Sequence, residues 1–104
     1  MRITTDDRDT EFGDAGPPTA DDQRLKVELV HKIDRILKDR GLTQTAAAAL
    51  LRIKQPDVSR LLRGQVRQVS VGRLLKFLVV LGHDVEIVVK LPPDLDQVPT
   101  LRVA

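Results

Sequence analysis

The stretch LTQTAAAALLRIKQPDVSRLLRG, residues 42–64, decides the architecture. Thr43 stands where a helix N-cap belongs, since its hydroxyl can accept from an early backbone N–H. Behind it, QTAAAALL (44–51) is made of strong helix formers, and small alanines let another helix approach closely. RIKQ (52–55) reads as a short turn. Pro56 suits the first position of a third helix, where its missing N–H costs nothing. That helix is predicted over 56–63 and stops at Gly64. A step of about 100° per residue puts Val58, Leu61 and Leu62 on one side. Pro56, Arg60 and Arg63 lie opposite, with Asp57 and Ser59 on the flanks and Gln55 at the mouth of the helix. Two short helices on a tight turn, the second showing Gln and Arg, have the mechanical layout of a helix-turn-helix.

Outward from this stretch the pattern stays helical. Leu25, Leu29, Val30, Ile33, Ile36 and Leu37 recur at three- and four-residue spacing, which predicts a first helix over 22–40. Asp21 or Asp22 can cap it, and Gly41 suits its end. QVRQVS (65–70) is a linker. Ser70 can cap a fourth helix over 71–81, with Leu74, Leu75, Leu78, Val79 and Leu81 apolar. Then the period changes. DVEIVVKL (84–91) alternates, with Val85, Ile87, Val89 and Leu91 on one face, and reads as a strand that Pro92 and Pro93 end. A lone strand leaves its backbone unpaired. Its partner is either a second copy across a two-fold axis or a tail of the same chain. The expectation is a mainly α domain over 23–93, between an acidic N-terminal tail (1–22) and a C-terminal tail (94–104).

Composition narrows the function. The 104 residues include no Cys, so there is no thiolate metal site, disulfide or cysteine nucleophile. Phe12 and Phe77 are the only aromatics, too few for the stacking platforms of single-strand binders. Apolar runs such as FLVVLG (77–82) are far too short to span a bilayer, and the acidic N-terminus does not read as a signal peptide. A soluble cytoplasmic protein is expected. His31 and His83 fall on separate elements, and there is no carboxylate pair, phosphate loop or metal-ligand spacing. Neither an enzyme nor a cofactor is expected.

The net charge of +2 hides an asymmetry. Residues 1–22 hold seven acids against Arg2 and Arg8, a balance of −5, so the remainder carries +7. Residues 52–76 set seven bases against Asp57 alone, a local +6 that favours polyanions. The acidic tail is either a solvated extension or a segment that orders on a basic partner.

The polar face of the third helix, taken alone, is also compatible with an ordinary solvated surface. Read as a DNA-facing surface, it assigns roles by chemistry. Arg60 can bond guanine O6 and N7 together, and Gln55 can do the same to adenine N6 and N7. Asp57 either accepts from a cytosine amino group or complements the helix dipole and pairs with Arg60. Gln44, at the start of the second helix, can reach a phosphate beside that helix's own N–H donors. Thr43, Arg52, Lys54, Ser59, Arg63 and Arg67 are the other candidate phosphate contacts.

Residues 42–64 resemble the helix-turn-helix of Cro/cI-type (XRE) repressors, a lambda-repressor-like fold of four to five helices. SVGRLLKFLVVLGHDVEIVVKLPP (70–93) is similar to the HigA-type antitoxin branch, whose domain ends in a strand after its fourth helix. The resemblance covers about residues 24–93. It implies a homodimeric antitoxin that neutralises a RelE/HigB-like ribonuclease toxin and represses its own operon at a palindromic operator. It also implies a bacterial, nucleoid-associated location. By position it implies phosphate binding at Gln44, base edges for Gln55, Asp57 and Arg60, and backbone contacts nearer Ser59 and Arg63. The strand from Val85 to Leu91 would pair across the dimer axis. A stand-alone repressor without a toxin is the alternative. Two positions depart from the family pattern. Arg52 stands where glycine is frequent in the turn, and Pro56 replaces a side chain that elsewhere can read a base.

Overall fold

The computed structural model of the chain describes residues 20–94, 96 and 101–103, so most of the expected N-terminal tail lies outside the described residues. Four helices follow in order: α1 (Ala20–Asp39), α2 (Gln44–Leu51), α3 (Gln55–Leu62) and α4 (Val71–Val80). All four fall within two residues of their predicted bounds. α1 begins two residues early, taking in residues expected to belong to the tail, with Asp21 and Asp22 in its first turn, where carboxylates suit the helix dipole.

Short polar residues and local backbone bonds set the ends. The Thr43 hydroxyl accepts from the Ala46 N–H at 3.1 Å, and the Ser70 hydroxyl accepts from the Arg73 N–H at 3.1 Å. α3 starts one residue earlier than expected. Lys54 is its extended N-cap and makes no side-chain cap bond, Gln55 is the first helical residue, and Pro56 is the second. The second position also has an orphan N–H, so proline is tolerated there. At the other end, Gly64 adopts φ 85°, the Gly64 N–H bonds Leu61 O at 2.9 Å, and the Gln65 N–H bonds Arg60 O at 3.0 Å. This is a Schellman ending, which needs a left-handed residue that glycine supplies without Cβ strain. α2 ends in the same backbone region without glycine. Arg52 sits at φ 58°, ψ 42°, and is the only described non-glycine residue with positive φ.

The core gathers one stripe from each helix. Leu29, Val30, Ile33 and Leu37 come from α1, and Ala47, Ala48 and Leu51 from α2. Val58 and Leu61 come from α3, and Leu74, Phe77 and Leu78 from α4, with Leu81 just beyond it and Val66 from the α3–α4 loop. α1 packs on α3 and α4, while α2 packs on α3 and α4. The Arg40 guanidinium donates to Leu81 O at 3.1 Å, tying the ends of α1 and α4 together. The α4 stripe differs from expectation. Phe77 is buried, whereas Val79 is 52 % exposed. Residues 74, 77, 78 and 81 follow the i, i+3, i+4, i+7 spacing, and 79 falls off that face.

Residues 83–92 run out from α4 without a β-ladder among the described residues. Val85 packs against the core and Ile87 is half-buried. Val88, Val89 and Leu91 are exposed at 63 %, 72 % and 87 %. From the C-terminal segment, Val103 lies against the core, and its N–H donates to the Glu28 carboxylate at 2.8 Å.

Candidate nucleic-acid interface

Burying Val58 and Leu61 turns the opposite side of α3 outward. Gln55, Pro56, Arg60 and Arg63 are exposed, and Asp57 and Ser59 are half-buried on its flanks. Gln44 and Gln55, the first residues of α2 and α3, meet side by side. Gln55 Nε2 donates to Gln44 Oε1 at 2.9 Å. The bond crosses eleven residues and fixes the two helix starts against each other. It leaves Gln44 with both N–H donors, and Gln55 with its carbonyl and one N–H. One donor and one acceptor are the pair that an adenine edge requires, and two donors on Gln44 suit a phosphate.

Asp57 and Arg60 are joined by Arg60 Nη1 to Asp57 Oδ1 at 2.7 Å, with the two side chains about half exposed. Asp57 also lies in the first turn of α3, where its negative charge complements the positive end of the helix dipole. An exposed pair of this kind contributes about 0.2–1 kcal/mol. A bidentate arginine–guanine contact discriminates by about 1–3 kcal/mol, so a guanine edge outweighs the ion pair and can take Arg60 from Asp57. Arg60 uses one of its five N–H donors on Asp57, which keeps the guanidinium near the front of the helix.

The remaining candidates ring this face. The Thr43 hydroxyl oxygen accepts the α2 cap bond, and its proton is left to donate. Lys54 and Arg52 are exposed on the α2–α3 turn, Arg63 is exposed at the end of α3, and Arg67 is exposed on the following loop. The dimerisation candidates lie apart from them, on the segment after α4. There Val85 and Ile87 are half-buried and Val89 and Leu91 exposed. Arg73 was not among the candidates. It stands on α4 with its guanidinium 5.6 Å from the centroid of the Phe77 ring, an i, i+4 spacing that the sequence carries openly. His31 and His83 are exposed, and the described residues hold no cluster of His, Asp or Glu able to bind a metal ion.

Comparison with known proteins agrees with this geometry. A family model described as a helix-turn-helix domain matches residues 11–90. A solved structure, provisionally named an XRE-family transcriptional regulator, is 34 % identical, superposes with a TM-score of 0.78, and is matched over 84 % of this chain and 98 % of its own. The chain belongs to the XRE-type helix-turn-helix family. Among curated proteins nothing matches. In this XRE-type protein, α2 and α3 form the helix-turn-helix pair. No described helix is long and apolar enough to cross a membrane.

Proposed function

We propose that the protein is a dimeric, sequence-specific repressor that binds a palindromic operator in double-stranded DNA. The Gln44–Gln55 bond carries this reading, because it joins a phosphate-binding helix start to a base-reading one. Gln55 and Arg60 then read base edges from the major groove, with Asp57 holding Arg60 until a base replaces it. Thr43, Gln44, Arg52, Lys54, Ser59, Arg63 and Arg67 line up phosphates. The segment from Val85 to Leu91 pairs with its counterpart in a second copy. This would supply the missing ladder and cover Val89 and Leu91. Two copies of α3 would enter successive major grooves about 34–36 Å apart.

The repressor is tested by fluorescence anisotropy on the duplex upstream of its own gene and on a scrambled duplex, across a salt series. Preference for the native duplex with a steep salt slope is expected. Arg60→Ala should lose about 1–3 kcal/mol of discrimination at one base position while still binding DNA. Equal, weak binding of both duplexes would overturn the reading.

A narrower reading, that the repressor is the antitoxin of a RelE/HigB-like ribonuclease, is supported by the likeness of residues 70–93 to the HigA-type branch. Co-expression with the product of the adjacent gene tests it. Rescue of growth together with co-purification is expected, and a neighbour that is harmless alone and does not bind leaves the stand-alone repressor.

A further inference from the structure

An open pocket of about 590 Å³ lies beside α3, between α3, the α3–α4 loop, α4 and the first turn of α1. Arg60, Arg67 and Arg73 line it together with Asp57, a local balance of +2. Leu61, Val66 and Phe77 supply apolar walls. Gln23 lines it from α1, and Gln23 Nε2 is a buried donor without a hydrogen-bond partner among the described residues. A buried donor of this kind calls for an acceptor, and a carboxylate is a strong one.

We propose that this pocket is the docking surface for the chain's own acidic N-terminal residues 1–19, and that their docking competes with DNA. The competition rests on the repressor reading; the docking does not. Three observations select this occupant. The first is position: α1 begins at Ala20, three residues before Gln23, so the preceding segment starts about 4.5 Å along the helix axis from a pocket wall. The second is charge: residues 1–19 carry Asp6, Asp7, Asp9, Glu11 and Asp14 against Arg2 and Arg8, a balance of −3 opposite in sign to the arginine rim. The third is composition. Phe12, one of the two aromatics in the chain, follows Glu11 directly, so one short stretch offers a carboxylate to the arginines and a ring to the wall that holds Phe77.

Reach is sufficient. Asp14 lies six residues before Ala20, the start of α1, and six residues reach at most about 20–22 Å when extended. A tether this short gives an effective concentration in the millimolar range. Contacts too weak to hold a free peptide are therefore occupied within the chain. Arg60 and Arg67 belong both to the pocket and to the proposed DNA contacts, so an occupied pocket withholds them from DNA.

The test keeps the full chain and neutralises the segment: Asp6→Asn, Asp7→Asn, Asp9→Asn, Glu11→Gln and Asp14→Asn together. Without DNA, NMR follows the Gln23 side-chain amide and the Arg67 and Arg73 Nε–H signals. These should shift between the native and neutralised chains, and the difference should vanish when Arg73→Gln is present in both. With a random-sequence duplex at about 0.1 M salt, the neutralised chain should bind on the order of 2–10-fold tighter. That gain should shrink in the Arg73→Gln background. Unmoved signals overturn the docking, even if DNA binding tightens, since long-range repulsion then explains the gain. Moved signals with unchanged DNA affinity overturn the competition. If neither chain binds any duplex, the repressor reading fails and the NMR comparison still decides the docking.

Discussion

Replacing Arg52 by glycine should stabilise the fold and weaken DNA binding together. Arg52 ends α2 at φ 58°, ψ 42°, with its side chain exposed. A left-handed backbone costs a residue with Cβ about 1–2 kcal/mol, and glycine escapes that cost. Glycine has more freedom to lose on folding, which opposes the gain by about 0.5–1 kcal/mol. The difference leaves about 0.5 kcal/mol in favour of Arg52→Gly. In a domain of this size that is a rise in Tm of roughly 2–4 °C, within reach of calorimetry. The same change removes one cation from the turn. If Arg52 touches a phosphate, the slope of log K against log salt should flatten by about 0.9. Gly41→Ala provides the mirror control: Gly41 has φ 64° and open space around a built Cβ, so the alanine meets strain alone and should destabilise. Destabilisation of Arg52→Gly by more than about 1 kcal/mol would refute the strain argument. A raised Tm with an unchanged salt slope would refute only the phosphate contact.

Leu74 is fully buried in α4, so Leu74→Ala should cost about 2–5 kcal/mol, read from the shift of the urea midpoint at unchanged slope. Thr43→Ala removes the α2 cap bond and should cost about 1 kcal/mol in the same assay. Val89→Lys with Leu91→Lys should leave the helical circular dichroism unchanged, because both side chains are exposed in the single chain. It should shift sedimentation from dimer to monomer; a dimer that persists would place the interface elsewhere.

The helices were legible because their signals are local. Thr43, Gly64 and Ser70 set ends by contacts within a few residues, and the apolar spacing set the buried faces. Where a rule was slightly loose, the error was a residue or two: proline is tolerated at either of the first two helical positions, and α3 uses the second. Phase errors came from reading apolar residues without their angle, as at Val79 and Phe77. The outward turn of Gln55, Arg60 and Arg63 followed from the burial of Val58 and Leu61. The Gln44–Gln55 bond did not follow, because it joins residues eleven apart and depends on how α2 and α3 cross. The Arg60–Arg67–Arg73 pocket is tertiary in the same sense, since its arginines come from two helices and the loop between them. The segment 84–91 shows a further limit. Its alternation predicts a strand, yet residues 84–91 form no ladder among the described residues, because a ladder needs a partner that this part of the sequence does not name.

If the protein is the proposed repressor, the size of α3 bears on whether one copy can suffice. Its eight residues span about 12 Å, and the proposed base readers on it are Gln55 and Arg60, with Asp57 engaged on Arg60. At about 1–3 kcal/mol per good contact, one copy discriminates by about 2–6 kcal/mol. Specific sites are typically separated from random DNA by about 4–10 kcal/mol, a gap that one copy reaches only at its lower edge. The basic residues of the turn and loop raise affinity for every duplex alike, so adding more of them does not widen the gap. Doubling the readers does. Two half-sites held at fixed spacing add their discrimination to about 4–12 kcal/mol, and they do so only if the two copies are rigidly joined. In the proposed dimer that join is made by the exposed apolar residues after α4. Under the proposed function, an operator of two half-sites is therefore the expected counterpart of so short a helix.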